Sequence, residues 1–439
     1  MLYRKIRSKI EDFLRNSPNK VLLVEGARQI GKTYIIRDVG GKMFPNFIEI
    51  NMAEDKVKSR DFENIKSVED FYLKVSSFAG DKMKNKEDTL IFIDEIQEYP
   101  ELITLLKFLN EDGKYRFIAS GSLLGITLAE TTSIPIGTIE IMKMYQLDLE
   151  EFMIANGFGK TYINYLKENF KNRKTLDEKE HNKVIDIFKK YLLVGGMPEA
   201  VNSFIEKHNI KEIRTIHENI INLYRLDCSK YDKEKKLKIQ RLYELIPSNM
   251  ENKKKRVMLK DIENKKGKTK EDYQDEFEYL ISSGIAIGVN AISEPRFPLL
   301  QSTMKTLVKL YMNDVGLLTY TLYRENIKPI LEDIESINLG SVYETFAATE
   351  LKAHNENIYY YDNKRNGEVD YLVDDYENLT VLPIEIKSGK NYYVHSAVSN
   401  LIKISNYNIK RGFLFTNDIN VKESNNIIQM PIYYISFIE

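Results

Sequence analysis

The residues Gly26-Ala27-Arg28-Gln29-Ile30-Gly31-Lys32-Thr33 satisfy every fixed position of G-x-x-x-x-G-K-[ST]. Glycine at those positions lets the backbone wrap a polyphosphate with its N–H groups, while Lys32 is spaced for the β/γ oxygens and Thr33 for Mg²⁺. Gly26, Arg28, Gly31, Lys32 and Thr33 are therefore the candidate ATP-binding residues, with the following helix aiming its N-terminal dipole at the same anion. The apolar run Leu90–Ile93 ends in Asp94-Glu95. An acid at a strand tip can hold the Mg²⁺ shell, and Glu95 beside it can polarise the attacking water. Ser120, in Ala119-Ser120-Gly121-Ser122, could reach between those acids and the γ-phosphate, or could belong to a plain turn.

A second constellation lies near the C-terminus, in Glu368-Val369-Asp370 and Pro383-Ile384-Glu385-Ile386-Lys387. A strand's period of two sends Glu385 and Lys387 to one face and the isoleucines to the other. Asp370 and Glu385 on neighbouring strands can share a hard divalent metal that clamps a phosphodiester, with Lys387 stabilising developing charge. Glu344 sits on the helix before them. The bland alternative is a cross-strand charge pattern on a half-exposed strand.

The first constellation needs a parallel α/β sheet. Apolar runs at Val21–Val24, Phe47–Ile50, Leu90–Ile93, Arg116–Ala119 and Thr138–Met142 alternate with helical periods and predict one. From about residue 160 helical periods dominate. A helix (Leu237–Ile246), a basic stretch, a second helix (Asp272–Ile281) and a β-rich tail (Ile285–Ile292) follow a winged-helix-like order. The last part predicts a helix (Val342–Ala353), strands at Ile358–Tyr361, Glu368–Val373 and Val381–Ile386, a helix near Ser396–Ile404, and closing strands at Gly412–Thr416 and Ile432–Ser436. The expected division is 1–157, 158–234, 235–325 and 326–439.

GARQIGKT, LIFIDEIQ and IASGS, followed by EEF and GGMPEAV, resemble the AAA-type P-loop ATPases of prokaryotes that carry a C-terminal domain of unknown function. LIPSN (245–249), KLYMNDVGLL (309–318), EVDYLV and PIEIKSG extend the likeness to the C-terminus. The resemblance implies a P-loop NTPase domain, ATP hydrolysis with Mg²⁺, and shared nucleotide sites in a homo-oligomer. It also implies that Pro198, in Gly196-Met197-Pro198, lies against the adenine, whereas the residues alone slightly favour a helix-breaking turn between two helices. Many members carry Gly-Arg where this chain has Gly137-Thr138, so the resemblance implies either slow hydrolysis or a substitute arginine finger such as Arg116 or Arg28. The Asp…Glu-x-Lys order and the helix–strand succession around it resemble the restriction-endonuclease-like, or PD-(D/E)xK, fold. That likeness implies a nuclease, or a binding module that no longer cuts.

The chain has 439 residues, 43 % hydrophobic and 29 % charged, which is globular composition. Its formal charge of −1 confines any DNA surface to a local patch. Residues 251–270 supply one, with nine Lys/Arg against three acids, although a solvated loop explains such a run as well. One cysteine, Cys228, excludes an intrachain disulfide and a thiolate zinc cluster and fits a cytoplasmic protein. No apolar stretch is long enough for a membrane span. The five histidines are dispersed, and the Tyr359-Tyr360-Tyr361 run reads as strand packing.

Overall fold

The computed structural model describes residues 2–122, 137–228, 235–252, 255–263, 267, 269–332, 334, 337–355, 357–389 and 396–438. These form two compact units, one of 4–145 with 282–284 and one of the remainder.

The first unit contains α1 (Ile6–Asn16), β1 (Val21–Glu25), α2 (Lys32–Met43), β2 (Asn46–Asn51), α3 (Met52–Val57), α4 (Val68–Ala79), β3 (Thr89–Asp94), α5 (Glu101–Asp112), β4 (Arg116–Gly121) and β5 (Ile139–Lys143). The sheet order is β2-β3-β4-β1-β5, all pairs parallel. Both faces are covered, so β3 is buried at all its positions and reads as a continuous apolar run rather than an alternation. The chain leaves β1, passes over β4 and β3 to the far edge, and later returns past β1 to β5. The switch in direction sets the loop after β1 beside the carboxyl ends of β4 and β3, where open parallel sheets hold ligands.

The second unit begins with helices α6 (Leu149–Ala155), α7 (Lys160–Lys171), α8 (Glu178–Val194), α9 (Pro198–Lys207), α10 (Ile210–Cys228), α11 (Lys236–Met250), the single turn α12 (Lys260–Glu263) and α13 (Gln274–Ser282). Then come β6 (Ala286–Ile292), β7 (Thr303–Met312), α14 (Val315–Tyr323), α15 (Lys328–Leu331), α16 (Gly340–His354), β8 (Tyr359–Asn363), β9 (Gly367–Asp375), β10 (Thr380–Ile386), α17 (Ser396–Lys403), β11 (Gly412–Thr416), β12 (Lys422–Ser424) and β13 (Ile427–Pro431). The eight strands form one mixed sheet, β12-β13-β11-β10-β9-β8-β6-β7.

Two expectations need correction. The β-rich tail at 285–292 does not stand apart as a wing: β6 pairs with β7 on one side and, in parallel, with β8 on the other. Its backbone groups are thus paired along both edges, as those of a strand inside a sheet must be. The run Ile432–Ser436 is not a strand but a buried 3₁₀ helix, Ile432–Phe437. β13, one step earlier, takes the sheet position beside β11 and ends at Pro431. A short apolar run does not distinguish strand from buried helix.

Candidate functional site

The loop after β1 is built by local sterics. A Cβ at Gly26 would meet the Met144 carbonyl oxygen at 2.3 Å and Ile30 Cδ1 at 2.6 Å, so only glycine lets the loop run this close to the end of β5. Gly31 stands at φ 90° immediately before α2, a conformation that L side chains avoid. Arg4 locks the loop from below, donating from Nη1 to the Ile30 carbonyl at 3.0 Å and from Nη2 to the Tyr145 carbonyl at 2.5 Å. Arg4 is buried, and nothing in its sequence spacing marks it.

Lys32 is 5 % exposed and donates to the carbonyls of Gly26 at 2.9 Å and Ala27 at 2.8 Å. Burial holds its pKa below the usual lysine range, against the opposing charges of Glu95 and Asp94. Thr33 Oγ1 donates to Asp94 Oδ2 at 2.9 Å, Ser120 Oγ donates to Asp94 Oδ1, and Asn51 Nδ2 donates to Asp94 Oδ2 at 3.3 Å. Thus Asp94, 2 % exposed, is gripped by the ends of β2 and β4 and the start of α2. Burial raises its pKa, while the Ser120 hydrogen bond opposes the rise. The sequence left Ser120 either reaching between the two acids and the phosphate or in a plain turn; its hydroxyl contacts the first of those acids, Asp94. Asn51 escapes a sequence reading because an asparagine ending a strand carries no distinctive spacing. Glu95 is next in the chain, at φ 54° and ψ 45°, an unusual backbone for a non-glycine residue, and Gln97 donates an amide hydrogen to its Oε2. Arg28 Nε donates to Ser122 Oγ at 3.3 Å.

The C-terminal constellation is also assembled, wholly within the second unit. β9 and β10 pair antiparallel, with Tyr371 opposite Ile384, and Asp370 Oδ2 accepts the Ile386 amide at 2.8 Å. Every position of β10 is buried, which rules out the solvated cross-strand pattern. Glu385 pairs with Lys387 at 2.6 Å, and Glu344, on α16, pairs with Lys255. Glu368 pairs with Lys309, a fully buried lysine on β7 that also lies 4.6 Å from the Tyr360 ring centre. Burial and the nearby Asp370 charge raise the Glu344 pKa and push Glu385 up to about 7. One buried oxygen of each, Oε2, has no hydrogen-bond partner.

Those oxygens and their hard chemistry suit a divalent cation, but the arrangement does not: among the described residues no three His, Cys, Asp or Glu side chains converge to hold a metal. Lysine ammonium groups stand among the carboxylates instead. The basic stretch is likewise partly committed to internal partners. Arg256 donates to Tyr360 Oη at 2.8 Å and to Asp362 Oδ2 at 2.6 Å, and Lys255 is held by Glu344. Lys253, Lys254, Lys265, Lys266 and Lys268 lie outside the described residues, as does His395.

Comparison with known families agrees with the first unit. Residues 18–153 match a family model described as an AAA domain. This stretch is an AAA-type P-loop domain. Residues 185–328 and 339–435 match two models, each described as a domain of unknown function (DUF8612 and DUF4143). The chain is similar to the uncharacterized protein MJ1544 of Methanocaldococcus jannaschii, 24 % identical over 409 residues, covering 90 % of this chain and 82 % of that one. It is also similar to MJ1637 of the same organism, likewise uncharacterized, 23 % identical over 245 residues, which are 53 % of this chain and 49 % of that one. Among solved structures it is similar to the Walker-type ATPase paby2304 of Pyrococcus abyssi, with a TM-score of 0.43 and 14 % identity, covering 73 % of this chain and 95 % of that one.

The AAA-type domain also separates the arginine alternatives. Arg116 begins β4 and lies 5.4 Å from the Phe44 ring centre. Ser120 is at the other end of that strand, roughly 13 Å away, so Arg116 cannot serve its own phosphate loop. Thr138 is at the same remote end of the sheet, where its carbonyl accepts the Val21 amide at 2.9 Å. Arg28 alone of the two alternatives lies in the loop. Among the described residues no helix is long and apolar enough to cross a membrane.

Pro198 lies in the second unit as the first residue of α9, after a Gly195-Gly196 turn. The helix-breaking reading accounts for its local geometry: a proline at that position has no amide hydrogen to leave unsatisfied.

Proposed function

We propose that the chain is an ATP-binding, Mg²⁺-dependent ATPase that carries a second site, in its C-terminal sheet, for a nucleic-acid phosphodiester, with DNA the favoured target. The observation that supports the first half is the convergence of Thr33, Asn51 and Ser120 on Asp94 beside a phosphate loop. The Thr33 hydroxyl and the Asp94 carboxylate form a hard-oxygen pair that fits Mg²⁺, and the glycine cradle fits a polyphosphate. Lys32 would exchange the Gly26 and Ala27 carbonyls for β/γ oxygens. Bound Mg²⁺ supplies neutralisation of the developing phosphate charge. Thr33 and Asp94 would hold it, Ser120 and Asn51 fix the Asp94 carboxylate, and Glu95, with Gln97 against it, would take the proton of the attacking water.

The deciding experiment is ATP turnover and ATP binding by wild type, Lys32→Ala and Glu95→Gln. Lys32→Ala should lose binding. Glu95→Gln should bind ATP yet turn over about 10²–10⁴-fold more slowly; wild-type turnover in that variant would remove Glu95 from the base role.

The second half rests on Asp370, Glu385 and Lys387 lying in one cluster with Glu344, the two glutamates buried and the other two half-buried. A competing reading, a nucleotide switch with a nuclease-like fold that holds a protein or nucleic acid without cutting it, is favoured by the lysine on Glu344. Incubation with labelled DNA and RNA and Mn²⁺ or Mg²⁺, beside Asp370→Ala and Lys387→Ala, separates the two. Cleavage that disappears in both variants supports the phosphodiester site, and its absence from wild type supports the switch.

A further inference from the structure

The turn at 282–284 packs with residues 4–145, although the chain enters it from α13 and leaves it towards β6. It meets the phosphate loop at Ala27. Gly284 stands at φ 73°, and a Cβ built on it would lie 3.2 Å from the Ala27 amide nitrogen and 3.4 Å from the Ala27 Cβ. Two separate constraints therefore demand glycine there: the left-handed backbone disfavours a side chain, and the loop leaves little room for one. Ala27 is buried, and so is Ser283 beside Gly284, which makes the contact a packed one.

The neighbouring positions of the loop have supports of their own. Gly26 runs close to the Met144 carbonyl, Arg28 donates to Ser122, and the Ile30 carbonyl accepts from Arg4. At Ala27 the support is Gly284, whose chain continues on both sides out of this unit.

Lys32 makes that support sensitive to what the loop holds. Its ammonium donates to the carbonyl oxygens of Gly26 at 2.9 Å and Ala27 at 2.8 Å, which belong to the two peptides flanking the Ala27 Cα. The Gly26 carbonyl and the Ala27 amide form one planar unit, so a rotation that moves the oxygen moves the nitrogen with it. A polyphosphate that draws Lys32 away leaves both oxygens without their charged donor, and they must turn or be hydrated to recover a partner. Turning moves the Ala27 nitrogen relative to Gly284, where the contact has little slack.

We propose that Gly284 is a positioning residue of the nucleotide site: it sets the Gly26–Ala27 peptide to which Lys32 donates, and its turn shifts when a nucleotide draws Lys32 away. This rests on the ATP reading given above. Through the chain itself, the shift reaches α13 at Ser282 and β6 at Ala286. Linkage makes the effect reciprocal, so a change imposed on the turn alters nucleotide affinity.

The test is hydrogen–deuterium exchange of the full chain, read by mass spectrometry in peptides covering residues 282–288, with and without saturating Mg²⁺ and adenylyl imidodiphosphate. Nucleotide should change exchange in that segment about fivefold or more, and Lys32→Ala, which should not bind, should show no change. Affinity is measured in parallel by titration with a fluorescent ATP. Gly284→Ala should weaken binding about fivefold or more. Gly113→Ala is the control: at φ 71°, with the Glu111 carbonyl oxygen 3.9 Å from its Cβ, it imposes the same kind of backbone strain in open space and should bind as wild type does. The exchange measurement on wild type decides the matter if Gly284→Ala does not fold. Equal affinities in the two folded variants, or a turn that exchanges alike with nucleotide bound, would overturn the proposal. A wild-type chain that binds no nucleotide would instead remove the ATP reading, and this proposal with it.

Discussion

Asp314 Oδ2 accepts the backbone amide of Gly196 at 2.7 Å, joining residues 118 apart in sequence. Its other oxygen accepts the Leu317 amide at 3.0 Å and so caps the start of α14. Two motifs that read in the sequence as separate family landmarks, GGMPEAV and KLYMNDVGLL, are thereby one structural joint. The fit is close, since a Cβ on Gly195 would meet Asp314 Oδ1 at 2.1 Å and one on Gly196 would meet the Leu147 carbonyl oxygen at 2.0 Å. Nearby, the last carbonyls of α8 are taken by side chains: Arg214 donates to Leu193 O at 3.0 Å, Thr319 to Leu192 O at 2.9 Å, and His217 Nε2 lies 2.9 Å from Val194 O. A buried helix end needs such partners.

Asp314→Ala removes the acceptor from two buried amides and should lower unfolding free energy by about 2–4 kcal/mol, two buried donors each left without a partner. Urea denaturation followed by circular dichroism measures it. A decrease under about 0.5 kcal/mol would show that the joint contributes little.

Asp314 also makes a prediction about pH. Complete burial pushes its pKa up to about 6, against the backbone hydrogen bonds that favour the ion. A folded-state value above the unfolded one means the folded chain holds the proton longer. Its contribution is full below about pH 3.8 and lost as pH rises to about 6. The buried His217, held down to about 3, acts in the opposite sense, being stabilising only where the unfolded histidine is neutral. The two overlap, so the difference between wild type and Asp314→Asn isolates the carboxyl. That difference should move against wild type by up to about 3 kcal/mol between about pH 4 and pH 6.5 and stay flat above. A pH-independent difference would contradict the raised value.

Gly26→Ala should weaken nucleotide binding at least about tenfold, since the new methyl can be housed only by moving the Met144 carbonyl or reshaping the loop. Gly41→Ala, in α2 with open space around its Cβ, is the control and should leave binding unchanged. Equal binding by both variants in a fluorescent-ATP titration would mean that the loop tolerates the displacement.

Arg256→Gln should not reduce the salt dependence of DNA binding, because the guanidinium is committed to Tyr360 and Asp362. Removing a cation that neutralises a DNA phosphate flattens the slope of log affinity against log salt by about 1. A change of that size would return Arg256 to the DNA surface.

Much of the nucleotide domain was legible in the chain, because its chemistry is local. The phosphate loop is eight consecutive residues, β3 announces itself as an unbroken apolar run, and Asp94 and Glu95 follow it directly. The pairing of β9 with β10 was likewise readable from period-two strands separated by a short turn. Tertiary structure decided the rest, because it depends on contacts between residues far apart in sequence. Sequence spacing could not show that Asn51 and Ser120 close on the same carboxylate, that Arg116 and Thr138 lie at the wrong end of the sheet for their own loop, or that β6 joins the sheet of β8. Nor could it turn Lys255 inward: a basic run is solvated by default, and only the approach of Glu344, 89 residues on, takes that ammonium largely out of water.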